Sequence, residues 1–415
     1  MTGSARVIPL RQRQRERGRA RLAALTGARV EVGASGALVY DEAGRAYLDC
    51  GGHGGFLLGH RHPRVAAAVV DQINRRPMAS RMLLDPTVAR AAATLAEVTP
   101  PGLDFVQFVN SGTEAVETAI KLARAQGAYR LVSAYGSRHG STLGALSLST
   151  RDRAAEPFRP LLPSVRQVPY GEVDAMAAVL AGGRDQCVVL EPVQVDHGVV
   201  LPPAGYLSAV AELCRQHGAF LVLDETQTGL GRLGRWWGAD AEDVVPDVLC
   251  VGGTLSGGVV PVAAVAATAA AYAPVAHGSF GLAETFAGSP VAMAAATAAI
   301  QAIRDEGLVE RAGLLGAGIL ADVRRVLGET CPALVREVRG AGLLLGIEFD
   351  TGPAAAAFAL ELLDRQVLAG HGTCAPRVVR LTPPAVLTDT ELGWLLDSLT
   401  GAAGALAVRA DEGTI

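Results

Sequence analysis

The sequence predicts an α/β protein: a large domain with a mostly parallel sheet between helices, plus a smaller α+β domain drawn from both termini. Three observations predict it. From about 85 to 310, apolar runs such as 186–190 and 220–223 alternate with helical patterns such as 206–217, and strand alternating with helix marks a parallel sheet covered on both faces. Past about 305 the order changes to long helices separated by short strand-like runs. The first 50 residues hold β-type runs of their own, which need a sheet to join. The 415 residues, 50% hydrophobic and 19% charged, suffice for two or three domains. We divide them into 1–65, which joins the small domain, 66–305, the large domain, and 306–415, the remainder of the small one.

The elements follow in order. Strands are expected at 28–32, 37–40 and 45–48, with turns at 33–36 and 41–44 where Gly, Ser and Asp gather. A strand at 104–109 leads into a helix at 114–125, and another strand falls at 245–251. The terminal part reads as a helix at 308–327, strands at 336–339 and 343–349, a helix at 355–366, a strand at 378–381 and a helix from Asp389. The apolar stretch 261–276 is short for a membrane span and carries Pro261 and Pro274; it reads as a buried strand and its loop.

Composition narrows the function. A formal net charge of −4 gives no reason to expect nucleic acid or membrane as a partner. The local exception is Arg11, Arg13, Arg15, Arg17, Arg19 and Arg21, which read as a solvated helical surface because Glu16 interrupts them and no aromatics interleave. No pair of the six cysteines has CxxC spacing and no His cluster accompanies them, so no metal site and a reduced, cytoplasmic protein are expected. The N-terminus lacks the apolar core of a signal peptide. The whole sequence holds one lysine, Lys121, among 37 Lys and Arg side chains.

Two segments carry chemistry. Asn110-Ser111-Gly112-Thr113-Glu114-Ala115 follows an apolar strand and opens a helix. Backbone N–H groups at a helix start, a glycine for close approach and two hydroxyls make an anion cup; the same text also reads as a simple capping box with Thr113 as N-cap. Phe220-Leu221-Val222-Leu223-Asp224-Glu225 is an apolar strand ending in two carboxylates. Ligands of open α/β sheets sit at such strand ends, where an acid can pair with a cationic heteroaromatic nitrogen; a helix cap or surface pair is the plainer reading.

Together with Asp49-Cys50-Gly51-Gly52, Gly59-His60-Arg61-His62-Pro63, His139-Gly140, Leu190-Glu191-Pro192-Val193-Gln194, Asp224-Glu225-Thr226-Gln227-Thr228-Gly229, Ser256-Gly257-Gly258 and Arg380-Leu381-Thr382-Pro383-Pro384, these segments resemble the class III aminotransferases, pyridoxal-phosphate (PLP) enzymes of fold type I, and most of all their putrescine- and diamine-aminotransferase-like members. The resemblance runs from about 28 to 400. It implies that Ser111, Gly112 and Thr113 hold the cofactor phosphate, that Asp224 pairs with the pyridine nitrogen and Gln227 with the ring hydroxyl, and that Thr226 lies against the ring. It implies a homodimer in which Thr285 reaches the phosphate from the partner subunit. Arg380 matches the family's carboxylate-binding arginine, and Asp196 stands where an acidic residue covers it.

The pattern breaks at one place above all. Aligning Pro246-Asp247 and Ser256-Gly257-Gly258 with the family puts Gly253 where the Schiff-base lysine belongs. Lys121 lies seven residues into the helix that starts at Glu114, roughly 10 Å from the cup, and reads as a surface or salt-bridging residue. The family lysine both holds the cofactor and shuttles a proton, and a positioned acid–base group contributes about 10²–10⁴-fold. Arg138 replaces an aromatic, Thr226 a small apolar residue and His53 a phenylalanine, while His197 and Val195 alter the segment after Gln194. A single engineered substitution would not change so many neighbours. Arg138, His139, His53 and His197 are therefore the catalytic candidates, Arg138 able to stack on a ring or bind an anion.

The expected function is an enzyme of aminotransferase ancestry with lysine-independent chemistry in specialised metabolism, binding a small-molecule substrate and PLP or its amine form PMP non-covalently, or no cofactor at all if the cup takes a phosphorylated substrate or a phosphopantetheine arm. Two alternatives stay open: an inactive homologue kept as a binding or regulatory partner, and a conventional aminotransferase with an altered lysine position.

Overall fold

The computed structural model describes residues 27, 29–52, 55–80, 82–149, 155–276, 281–282, 284–371 and 374–413. The arginine run 11–21 and the candidate His53 lie outside the described residues.

Two seven-stranded sheets organise the chain. β1 (Glu31–Ser35), β2 (Leu38–Asp41) and β3 (Ala46–Cys50) form an antiparallel meander at the N-terminus. The segment 33–35, expected as a turn, is instead the body of β1, with Gly33, Ala34 and Ser35 opposite Tyr40, Val39 and Leu38. The reversal is made by Gly36 and Ala37. Gly36 has φ +57°, a left-handed conformation that glycine adopts without penalty, so a two-residue connection suffices.

The large sheet contains β4 (Phe105–Val109), β5 (Arg130–Ala134), β6 (Val165–Val168), β7 (Gln186–Leu190), β8 (Phe220–Glu225), β9 (Val248–Val251) and β10 (Ala263–Ala267), in the order β4-β10-β9-β8-β7-β5-β6. The run β6-β5-β7-β8-β9 is parallel. Strands β7 to β10 are buried along their whole length, as strands covered on both faces must be, which is why they read as unbroken apolar runs. β10 is antiparallel to both β9 and β4. β4 therefore points the same way as β5, β7, β8 and β9, and all five release their chains at one edge of the sheet. That shared edge positions the site.

The second sheet adds β11 (Val335–Ala341), β12 (Leu344–Phe349), β13 (Val367–His371) and β14 (Val378–Leu381) to the N-terminal meander, through a parallel pairing of β3 with β13. Both ends of the chain thus share one sheet. The stretch 261–276 contains β10 and a four-residue helix, Ala269–Tyr272, and no helix among the described residues is long and apolar enough to cross a membrane. All six cysteines are unpaired, five of them buried.

Candidate functional site at the strand ends

The cup forms where β4 ends. Ser111 is extended (φ −150°, ψ 158°), caps the helix Gly112–Ala125, and its Oγ accepts from Glu114 N at 3.3 Å. The expected cap at Thr113 is corrected by one turn's geometry: the helix begins at Gly112, so Thr113 already has helical neighbours and Ser111 is the last extended residue. The Glu114 carboxylate returns to accept from Asn110 N (2.7 Å) and Nδ2 (3.0 Å). The first-turn N–H groups of Gly112 and Thr113 have no intrahelical acceptor and carry the positive end of the helix dipole. The Thr113 hydroxyl lies against Gly140, where any Cβ would collide with it.

Asp224 and Glu225 end β8 as neighbours, and strand alternation sends them to opposite faces. Asp224 is buried on the cup side. Its Oδ2 meets His139 Nδ1 at 2.8 Å, and its Oδ1 accepts from Thr226 N (3.1 Å) and Thr226 Oγ1 (2.6 Å). Glu225 instead accepts from Gly238 N, Ala239 N and the Thr228 hydroxyl. Burial pushes its pKa up to about 7 against those hydrogen bonds, and it props the far side of the sheet. The His139 ring is fully enclosed, and its Nε2 has no hydrogen-bond partner among the described residues. Thr226 is wedged between two glycines: a Cβ on Gly112 would lie 3.0 Å from its Cγ2, and one on Gly252 3.1 Å from its Cβ.

Gly253 follows β9 in a short 3-10 turn, Gly253–Ser256. Its φ is +46°, and a Cβ there would sit 2.9 Å from the Thr226 carbonyl oxygen. Lys121 is exposed and donates to the Gly281 carbonyl at 2.9 Å. It is a surface residue as expected, with a backbone oxygen rather than a carboxylate as its partner.

A charged cluster lies beside the cup. Arg138, from the loop after β5, is half exposed and places Nη1 2.9 Å from Asp196 Oδ2. Arg380, on β14, reaches Asp196 Oδ1 at 3.2 Å, and Gln227 Nε2 donates to Asp196 Oδ2 at 3.3 Å. Burial works to raise the Asp196 pKa, but Arg138, Arg380 and Gln227 outweigh it and hold the carboxyl below its ordinary value. The His197 ring leans on Gly136; desolvation of that face, reinforced by Arg339, lowers its pKa despite the opposing charge of Glu348.

Two residues of this neighbourhood were not singled out from the sequence. Glu191 is buried at the end of β7, accepts from Arg138 N at 3.1 Å, and is raised well above the usual carboxylate range by burial and by Asp224; its place in the Glu-Pro motif at a strand end was the available signal. Arg339 donates from Nε and Nη2 to the carbonyls of Gly198 and Val199 and from Nη1 to Glu337 and Glu348. It clamps a turn in which Gly198 and Val199 both have positive φ, and nothing in the local sequence marks it.

The remaining candidate, Thr285, is exposed and lines a separate recess of about 230 Å³ with Met78, Asp85, Val88 and Gln107. A cavity of about 620 Å³ also lies elsewhere, at the opposite ends of the strands near Phe220 and Asp247. Its carboxylates are engaged in local bonds such as Glu212 with Arg215 and Asp247 with Leu221 N.

The chain belongs to the class III aminotransferases: the model of that family, Aminotransferase class-III, matches residues 27–403. Among solved structures, it is similar to the ornithine aminotransferase of Toxoplasma gondii (32% identity, TM-score 0.87, 92% of each chain covered), which was described with partial occupancy of PLP at its active site. It is also similar to an acetylornithine aminotransferase from Elizabethkingia anophelis (29% identity, TM-score 0.77, 92% of this chain and 94% of that one). A third is the ornithine delta-aminotransferase of Plasmodium falciparum (28% identity, TM-score 0.79, with the same coverage). The mixed α/β architecture is that of fold type I.

Proposed function

We propose that this chain binds PLP or PMP non-covalently in the cup and acts on a small-molecule substrate by chemistry that needs no Schiff-base lysine. The observation that carries the reading is a pairing of retained and lost parts. Asp224 is a buried carboxylate beside the cup, while the position that aligns with the family lysine is Gly253 and the one lysine of the sequence is bonded to Gly281 on the surface. The residues present fit a pyridoxal phosphate: first-turn N–H groups and hydroxyls at Ser111, Gly112 and Thr113 for the phosphate, a glycine floor that a Cβ would fill, and Asp224 for a protonated ring nitrogen. When bound, such a group supplies an electron sink. Thr226 orients Asp224 through its hydroxyl and would be the residue against the ring face. Gln227, which donates to Asp196, would be the residue to pair with the ring hydroxyl. His139, whose Nε2 has no hydrogen-bond partner among the described residues, holds Asp224; it is a catalytic candidate with Arg138, His197 and His53, and Asp196 and Arg380 would meet the substrate.

Assembly and setting belong to the same reading. We take 1–65 with 306–415 as the small domain and 66–305 as the large one. The protein is a cytoplasmic homodimer, with Thr285 contributed across the interface. Its exposed apolar neighbours support this: Leu84 is 99% exposed, Met82 88% and Phe286 64%, an unusual concentration for a surface that meets only water.

Family membership also fits a conventional transaminase, and the test separates the two. Purified protein is titrated with PMP and PLP and then treated with borohydride. Saturable binding that is lost on dialysis and weakened by Asp224→Asn supports the proposal. PLP fixed covalently to the chain refutes it, and failure of both forms to bind leaves the inactive-partner reading in its place.

A further inference from the structure

We propose that Glu191 keeps a proton beside Asp224, and that a cationic ring nitrogen seated on Asp224 drives that proton out. Glu191 is then a positioning residue whose charge follows the occupancy of the cup. This rests on the reading of Asp224 as the partner of the ring nitrogen.

The strand ends set two carboxyl groups side by side away from water. Leu190 of β7 and Leu223 of β8 are paired on neighbouring parallel strands, which lie about 4.8 Å apart. The residues that follow them, Glu191 and Asp224, therefore leave the sheet on one face. A single loop serves both: Arg138 N donates to Glu191, and the ring of the next residue, His139, meets Asp224. Glu191 is 5% exposed and Asp224 3%. Two buried carboxylates this near do not both stay charged, and the one with the poorer set of donors takes the proton. Asp224 has three donors, His139 Nδ1, Thr226 N and Thr226 Oγ1. Glu191 has two main-chain N–H groups, those of Arg138 and Val195. Its other neighbours do not relieve it. Asp196, in the turn after β7, adds a further negative charge, and the Arg138 guanidinium is turned to Asp196 instead. Tyr170 directs its hydroxyl to the carbonyls of Glu191 and Pro192, not to the carboxyl. Burial and Asp224 accordingly push the Glu191 pKa up. A ring cation paired with Asp224 cancels the charge that keeps the proton in place. The Glu191 O–H bond then breaks, the carboxylate keeps the electron pair, and the proton passes to solvent.

The experiment is calorimetric titration of the full-length protein with PMP at a pH of about 7.5, where the phosphate of free PMP has already lost both protons and its ring nitrogen still carries one. Repeated in two buffers of different ionisation enthalpy, it should show about one proton released per PMP bound, with affinity rising up to about tenfold per pH unit while Glu191 titrates. Glu191→Gln keeps the shape but cannot ionise, so it should release none and flatten that dependence, which a merely structural role would not do. Infrared spectra of the unliganded protein read the proton directly. The acid carbonyl band should be weaker by one carboxyl in Glu191→Gln, and in Asp224→Asn it should fade at a lower pH; Glu225, on the opposite face, contributes alike to every sample. Where Glu191→Gln fails to accumulate, the wild-type proton count decides. Proton uptake, a PMP affinity indifferent to pH, or an acid band undiminished in Glu191→Gln would each overturn the proposal. An acid band that Glu191→Gln removes, without PMP binding, sinks the cofactor reading alone, and PMP bound without proton release sinks the Glu191 proposal alone.

Discussion

Replacing Gly253 by alanine tests whether the backbone at this position demands a glycine. With φ at +46° the residue sits in the left-handed region, where a non-glycine residue costs about 1–3 kcal/mol. The added Cβ would stand 2.9 Å from the Thr226 carbonyl oxygen, and relieving a contact with backbone adds about 1 kcal/mol or more. Gly253→Ala should therefore destabilise the protein by about 2–4 kcal/mol. Gly328→Ala is the internal control. Gly328 lies inside the helix Leu308–Thr330 with nothing within 4 Å of its added Cβ, so alanine there should stabilise by about 0.5–1 kcal/mol. Urea unfolding followed by fluorescence reads both as opposite shifts in midpoint at unchanged slope. The same cost applies to Gly253→Lys, so that variant should also fold less stably and should not fix PLP until the Thr226 carbonyl has moved. A Gly253→Ala protein that unfolds at the wild-type urea concentration would refute the reasoning: the position would then make no demand on the backbone, and its glycine would be incidental.

Other outcomes follow from the same contacts. Thr226→Val keeps the shape but deletes the 2.6 Å hydroxyl bond to Asp224, and should cost about 1–2 kcal/mol in the same urea assay; no loss would mean that Asp224 does not depend on Thr226. His197 titrates below its ordinary 6.5 because of desolvation and Arg339. Its neutral form is the one the fold favours, so its contribution to stability is present above pH 6.5 and is lost as pH falls through the folded-state value. Proton NMR should place its midpoint below that of exposed histidines, and Glu348→Gln should lower it further by removing the opposing negative charge; an upward shift would contradict the assignment of causes. Lys121→Met should leave PMP affinity unchanged and alter stability by less than about 0.5 kcal/mol, and any loss of cofactor binding would place Lys121 in the site after all.

Much of this protein could be read locally. Mostly apolar runs of four to six residues bounded by turn signals marked β7, β8 and β14, and 3.6-residue periodicity marked the helix Tyr206–His217, because those patterns are set by neighbours in the chain. The strand, Ser-Gly-Thr and helix start at 105–125 were legible for the same reason, as they are contiguous. That Lys121 is the single lysine needed only a count. Tertiary structure decided what depends on strand order and on approach from afar. An antiparallel β10 has the same apolar text as a parallel one, and only its pairing with β4 and β9 shows that the cup and Asp224 open at one edge. Asp224 and Glu225 are adjacent carboxylates in the sequence, and the face each takes is set by the sheet around them. Asp196 meets Arg138 and Arg380 across 58 and 184 residues of chain. Ion pairs of that span carry no periodicity and follow only from the edge at which the two sheets bring their strand ends together.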